Sequence, residues 1–217
     1  MILQFESLRQ EIRDTAIIKK DYKRAIEKCY EYLYLVETLD STIYKDEDLR
    51  FIYYEIALDN KKIGNYEVAI EHNKIALSYI KKDEMKVDYR YINSVWLMAE
   101  CYNILGNMKE AIKNYDLCSK LYRTVKEKNL RICTLWNKAK ITRNSRVMLR
   151  LIKLYETRNI QTVVTTYGDM EYDSILSEMY RDLFRLYSTK FDIKSAIKLF
   201  LMCRSKTLRN EFSEILS

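Results

Sequence analysis

The chain has 217 residues, a net charge of +7, no proline, three glycines, 19 tyrosines and 48% hydrophobic residues. Such a composition excludes a disordered chain, which is too poor in aromatics to offset its ordering entropy, and a β-rich fold, whose turns call on glycine and proline. No window approaches the roughly 18 apolar residues that span a bilayer, and no signal-peptide order opens the chain, so a cytoplasmic protein is expected.

Taken in chain order, apolar periodicity and its breakers predict helices near 3–18, 22–38, 47–62, 66–82, 87–105, 108–125, 129–142, 145–157, 171–188 and 192–204, with a short last one near 207–216. Lys19-Lys20, Lys61-Lys62 and Lys81-Lys82 fall where helices should end, where cations complement the negative pole of the macrodipole. The stretch Ile160–Gly168 is rich in β-branched residues that lower helix propensity. A lone strand among helices would have no partner, so a short helix is expected there.

One pattern recurs: Asp21 to Ala25-Ile26, Asn65 to Ala69-Ile70, Asn107 to Ala111-Ile112 and Asp192 to Ala196-Ile197. Asp or Asn caps a helix by accepting a hydrogen bond from a free backbone N–H, and the alanine four residues on lets a neighbouring helix come close. Gly64 and Gly106 precede two of the caps, suited to the left-handed residue that closes the previous helix. The alanines are spaced by 44, 42 and 85 residues. One copy has therefore lost its signature; it should lie around Arg131 to Glu156, with Asn144-Ser145 capping its second helix.

Ile56, Ala57, Gly64, Tyr66, Ala69, Ala76 and Leu77, and again Ala99, Gly106, Ala111, Tyr115 and Cys118, make the chain resemble the tetratricopeptide (TPR) repeat family. The proline usual after the second helix is absent, and the period is longer than the usual residue count of roughly 34. A turn added to each helix accommodates the difference and nearly preserves which face points inward. The resemblance implies an all-α, TPR-like right-handed superhelix of antiparallel helix pairs with a period near 42. It would be a single domain over 1–217, with repeats near 3–38, 47–82, 87–125, 129–157 and 171–204 and a capping helix near 207–216.

In that family the first helices of each pair line a concave surface where peptides dock. Alignment on Ala57 and Ala99 puts Phe51, Tyr54, Leu58 and Lys61 inward in one repeat, and Asn93, Trp96, Glu100 and Asn103 in the next. An amide side chain donates to and accepts from a peptide backbone at once, and Trp supplies an apolar anchor. The other reading is a solvated polar face with Trp96 packed between repeats. In the last repeat Arg181, Arg185 and Ser188 take the inward positions, and the arginines suit an acidic group. The candidate peptide-binding set is thus Tyr54, Lys61, Asn93, Trp96, Glu100, Asn103, Arg181 and Arg185.

Catalysis has little support. The one histidine, His72, adjoins Glu71, which diverges from it on a helix, and no phosphate loop, metal cluster or nucleophile turn is present. Five scattered cysteines without a C-x-x-C pair indicate neither disulfides nor zinc. No enzyme activity, cofactor or metal is expected.

Repeats of this length, rich in Lys, Ile, Tyr and Asn with asparagines on inner helices, resemble the RRNPP group of peptide-sensing receptors (Rap-, PlcR-, Rgg- and arbitrium-type). The resemblance implies a regulator of quorum sensing or transcription that takes a short peptide; the alternative is a scaffold or adaptor that binds a partner protein's tail or helix. The chain begins directly in a repeat helix, without the DNA-binding segment of that group. Expected partners are therefore a peptide or protein segment and, at the C-terminal apolar stripe, a second copy. No membrane is expected, and nucleic acid only indirectly, since no nucleic-acid-binding motif is present.

Overall fold

In the computed structural model, which describes residues 2–38, 45–80, 88–156, 162–165, 168–190, 192–203, 208–210 and 212–213, each Ala-Ile signature opens a helix. The first helix, α1 (Ile2–Arg13), runs on into a π-helical turn, Asp14–Ile18. Then follow α2 (Tyr22–Thr38), α3 (Lys45–Lys62), α4 (Tyr66–Ser78), α5 (Tyr89–Ile104), α6 (Met108–Thr124), α7 (Lys128–Ile141), α8 (Ser145–Glu156), α9 (Tyr172–Thr189) and α10 (Ile193–Met202).

Five turns between successive helices share one geometry. A residue at positive φ closes the first helix, and the next residue starts the second: Gly64 at 89°, Gly106 at 76°, and the non-glycine Lys20 at 55°, Lys126 at 63° and Arg143 at 49°. Around Gly64 the Asn65 N–H reaches the Asn60 carbonyl at 2.9 Å and the Gly64 N–H that of Lys61 at 3.2 Å. The same double bond recurs at Asn107 (to Tyr102, 2.8 Å) with Gly106 (to Asn103, 3.1 Å), and at Asn144 (to Ala139, 2.9 Å) with Arg143 (to Lys140, 3.0 Å). These bonds satisfy carbonyls that a helix end leaves open. The degenerate copy thus keeps the turn without glycine, although a side chain at positive φ carries a steric cost.

The caps follow the pattern with one exception. Asp21, Asn107, Asn144 and Asp192 each accept a backbone N–H three residues on, at 3.1 to 3.3 Å. Asn65 does not cap with its side chain. Its amide donates to the Asn60 side-chain oxygen at 3.2 Å instead, so a polar partner inside the turn has outcompeted the free N–H.

The chain divides into two compact units, residues 1–117 and 118–217. In the first, Ile12, Cys29, Tyr32, Val36, Ile52 and Ile56 form a core between α1, α2 and α3, and Ala57, Ala69, Ile70, Leu97 and Cys101 continue it through α4 and α5. The signature alanines Ala25, Ala69 and Ala111 are fully buried. With no side chain beyond Cβ, they set the distance at which helices meet. In the second unit Trp136, Met148, Ile152, Tyr155, Met179 and Phe184 form the core around α7, α8 and α9. Leu208 and Phe212 join it, the Phe212 ring stacked on Phe184 with centroids 4.1 Å apart. Ile215 and Leu216 lie outside the described residues.

Of the stretch Ile160–Gly168, for which a short helix is expected, the described residues Thr162–Thr165 and Gly168 are in strands. Strand β1 (Thr162–Thr165) pairs antiparallel with β2 (Gly168–Glu171), Thr162 opposite Glu171 and Thr165 opposite Gly168. The β-branched run finds its partner in the next segment, so the premise that a strand here stays single was wrong, and local β propensity decides the outcome.

Candidate partner-binding site

α5 is buried over most of its circumference: Ile92, Ser94, Val95, Leu97, Ala99 and Cys101 all face the core. Asn93, Trp96, Glu100 and Asn103 are half-buried and follow one another at the three-and-four-residue spacing of a single helix face. α3 repeats the arrangement, with Ile52, Ile56, Ala57, Asp59 and Asn60 buried and Phe51, Tyr54, Leu58 and Lys61 half-buried. The stripes touch through the Lys61 ammonium, which forms an ion pair with the Glu100 carboxylate; the side chains keep 13% and 24% of their exposure. The Trp96 indole meets the Tyr115 ring edge-on, centroids 6.1 Å apart. Neither the Asn93 nor the Asn103 side-chain amide hydrogen-bonds a described residue.

Two of the charged residues selected from the sequence are therefore engaged with each other, and the half-buried Trp96 packs on Tyr115, itself 1% exposed, while the two half-buried amides bond no described residue. Arg181 and Arg185 lie on α9, in the second unit. Arg185 is exposed and lines a small cavity of about 220 Å³ together with Lys140, Arg143 and Asp182. Asp182 is held there by the Lys140 ammonium at 2.8 Å and the Trp136 indole N–H at 3.2 Å. Ser188 donates to its own helix, to the Phe184 carbonyl at 3.0 Å.

Three polar features escaped sequence reasoning. The Arg9 guanidinium pairs with Asp48 and donates to the Tyr32 hydroxyl at 3.0 Å, and that hydroxyl donates to Asp48 at 2.8 Å, tying α1, α2 and α3 together. On α3 Asp59 is 1% exposed, and one carboxylate oxygen has no hydrogen-bond partner. Burial, with Glu55 one turn away adding repulsion and Lys62 opposing it, pushes the Asp59 carboxyl up to about 7. Third, His72 sits among tyrosines, with Nε2 3.2 Å from the Tyr30 hydroxyl and Nδ1 2.9 Å from the Val68 carbonyl. An i,i+4 Glu55–Asp59 pair is visible in the sequence, but only the buried face of α3 reveals that one member lacks solvent.

Burial pushes the Cys101 and Cys133 thiols up to about 11 and the Cys29 thiol higher still, the opposite of what a reactive thiolate needs. No group of His, Cys, Asp and Glu among the described residues is arranged to hold a metal ion. No helix among them is long and apolar enough to cross a membrane.

No protein-family model matches the chain, and no curated protein matches it in sequence. Among solved structures it is similar to BtubC (BKLC) from P. vanneervenii, with a TM-score of 0.72 and 16% identity over 97% of this chain and 83% of that one. It is also similar to a kinesin-light-chain-type protein of Podosopora anserina with nearly identical TPR-like repeats, with a TM-score of 0.65 and 12% identity over 97% of this chain and 95% of that one. A form of that protein carrying one substitution gives a TM-score of 0.67 and 13% identity, covering 97% of each chain. These likenesses show the fold: a TPR-like repeat architecture of helices, which in this chain includes the short β1–β2 pair.

Proposed function

We infer that this chain is a non-catalytic scaffold that holds a segment of a partner protein along the adjoining stripes of α3 and α5. The observation that carries the reading is the Asn93 and Asn103 pair, two amides without side-chain partners among the described residues, three turns apart on a helix otherwise given over to packing. Free amides on a half-buried face satisfy the backbone groups of an extended chain, and the aromatic rings of Tyr54 and Trp96 select its apolar side chains. The Lys61–Glu100 pair keeps the middle of the surface electrically balanced, which disfavours a strongly charged ligand there.

The likeness to kinesin-light-chain-type repeats favours this scaffold reading over a peptide-sensing receptor, and nothing supports a role in quorum sensing or transcription. Arg181 and Arg185, in the other unit, would serve an acidic group as a separate contact. The test is affinity capture followed by mass spectrometry, comparing the wild type with an Asn93→Ala/Asn103→Ala variant of unchanged melting temperature. A partner retained by the first and lost by the second supports the stripe; equal retention by both overturns it.

A further inference from the structure

The first unit carries a second surface of different chemistry. Between α1 and α2 runs a groove of about 840 Å³. Leu8 and Leu35 form its apolar part, and Glu11, Glu27 and Glu31 bring carboxylates to it. Glu27, Tyr30, Glu31 and Tyr34 fall on one face of α2 at helical spacing, opposite Cys29, Tyr32, Leu33 and Val36, which face the core. Glu11 is paired with the Lys28 ammonium at 2.7 Å. Glu27 and Glu31 have no cationic partner among the described residues. The groove lining thus carries three carboxylates in a chain whose net charge is +7, with Lys28 paired to Glu11 and the charges of Lys19 and Arg24 also reaching it.

Its tyrosines are conspicuously open: Tyr34 is 67% exposed and Tyr30 48%. An aromatic face beside a carboxylate attracts a cation twice, through the ring quadrupole and through charge, and a planar guanidinium gains most because it also stacks. The same unit contains a filled example of this chemistry. The Arg9 guanidinium lies 5.8 Å from the Tyr32 ring centroid and 5.0 Å from that of Phe51, with the Asp48 carboxylate closing the third side. On the outer face of α2, Tyr34 with Glu27 and Glu31 offers the same groups and no resident cation, and Tyr30, edge-on to His72 with its hydroxyl 3.2 Å from Nε2, keeps 48% of its surface open.

We propose that the α1–α2 groove binds an arginine-bearing basic segment of a partner protein, with guanidinium groups over Tyr34 and Tyr30 and paired to Glu31 and Glu27, and intervening apolar side chains against Leu8 and Leu35. The site is distinct from the α3–α5 stripe, so one chain can hold two segments, one basic and one uncharged. Because the protein is cationic overall, long-range repulsion opposes a basic peptide and local complementarity must supply the affinity.

The test is fluorescence anisotropy at low salt with a labelled acetyl-Arg-Leu-Arg-Leu-Arg-amide peptide and its Glu-for-Arg counterpart. The wild type should bind the arginine peptide, more weakly as salt rises, and leave the glutamate peptide free. Glu27→Gln/Glu31→Gln should weaken binding about tenfold, and Tyr34→Ala by several fold, a size set by charge pairs and cation–π contacts at a surface. All three substitutions lie at exposed positions, so folding is not at stake. The Asn93→Ala/Asn103→Ala variant should bind the arginine peptide as the wild type does, which separates this site from the stripe. Arginine-peptide affinity within twofold of wild type in Glu27→Gln/Glu31→Gln, equal binding of the glutamate peptide, or no binding of the arginine peptide by the wild type would each overturn the proposal.

Discussion

The planes of the Trp96 indole and the Tyr115 ring stand at 89°, edge to face, so the aromatic side chain best suited to anchor a ligand on α5 is also part of the contact between α5 and α6. Its two roles separate experimentally. Trp96→Ala should lower stability by about 2 kcal/mol, from a half-buried aromatic truncation and the lost ring pair, and should weaken partner binding as well. A thermal melt that leaves Trp96→Ala at the wild-type temperature would mean the indole contributes to binding alone.

Ala69 and Ala111 are fully buried where second helices meet their neighbours. Ala69→Leu or Ala111→Leu forces extra methylenes into a filled space and should cost about 1–3 kcal/mol. Urea denaturation measures this directly, with the slope unchanged if the native state keeps its compactness. A fully tolerated leucine at either position would contradict the close helix approach.

Asp59 makes stability depend on pH in a direction opposite to that of a salt-bridged acid. Its carboxyl is pushed up from 3.8 to about 7 by burial and by Glu55, so the folded state holds the proton more tightly than the unfolded one. The favourable contribution is present in full below the unfolded value and is lost as pH rises through about 7. Glu55, raised for the same reason of burial, acts in the same sense. The melting temperature of the wild type should therefore fall between about pH 4 and pH 7. Asp59→Asn, neutral and of equal size, should flatten that fall. Parallel curves for the two proteins would show that Asp59 does not titrate in this range.

How far the fold could be read in advance follows from which residues carry backbone constraints. Ala25, Ala69, Ala111 and Ala196 mark the close helix contacts because small size at a fixed distance from a cap has few other uses, and all four are buried. Gly64 and Gly106 announce left-handed turns, whereas Lys20, Lys126 and Arg143 adopt the same conformation under side chains that give no such signal. The β1–β2 hairpin was hidden because a strand's partner is a tertiary fact, even when only a few residues away. In the candidate site, helical spacing fixed which face Lys61 and Glu100 share with their neighbours but not that the two would pair across helices. Nor does spacing reveal desolvation, which is why Asp59 gave no sign of its state.

At the C-terminus Leu208 and Phe212 are buried in the core of the second unit, with Phe212 against Phe184. A chain ending at Thr207 would uncover that apolar surface, and uncovered repeat ends associate. Light scattering should show a species that aggregates and melts earlier than the full chain. If truncation instead converts a well-behaved dimer into a well-behaved monomer, the segment serves as a subunit interface and not as a cap.

Asn103 offers the sharpest test of the binding stripe, because its side chain bonds no described residue, so replacing it removes no bond the fold uses. Asn103→Ala should leave the melting temperature within about a degree of wild type, as surface substitutions do. With a partner segment on this face as proposed, the amide would be a donor and acceptor shielded from water, and its loss would strand the backbone groups it satisfied. The expected cost is about 1–3 kcal/mol of binding free energy, a roughly tenfold or larger rise in Kd. Lys61→Met breaks the ion pair with Glu100 beside it and leaves a half-buried carboxylate uncompensated, so that variant should lose stability as well as affinity. Calorimetry on the two variants separates a binding contact from a structural one. If Asn93→Ala and Asn103→Ala both keep the wild-type affinity, the partner does not read this face, and the α3–α5 assignment gives way to another surface of the repeat.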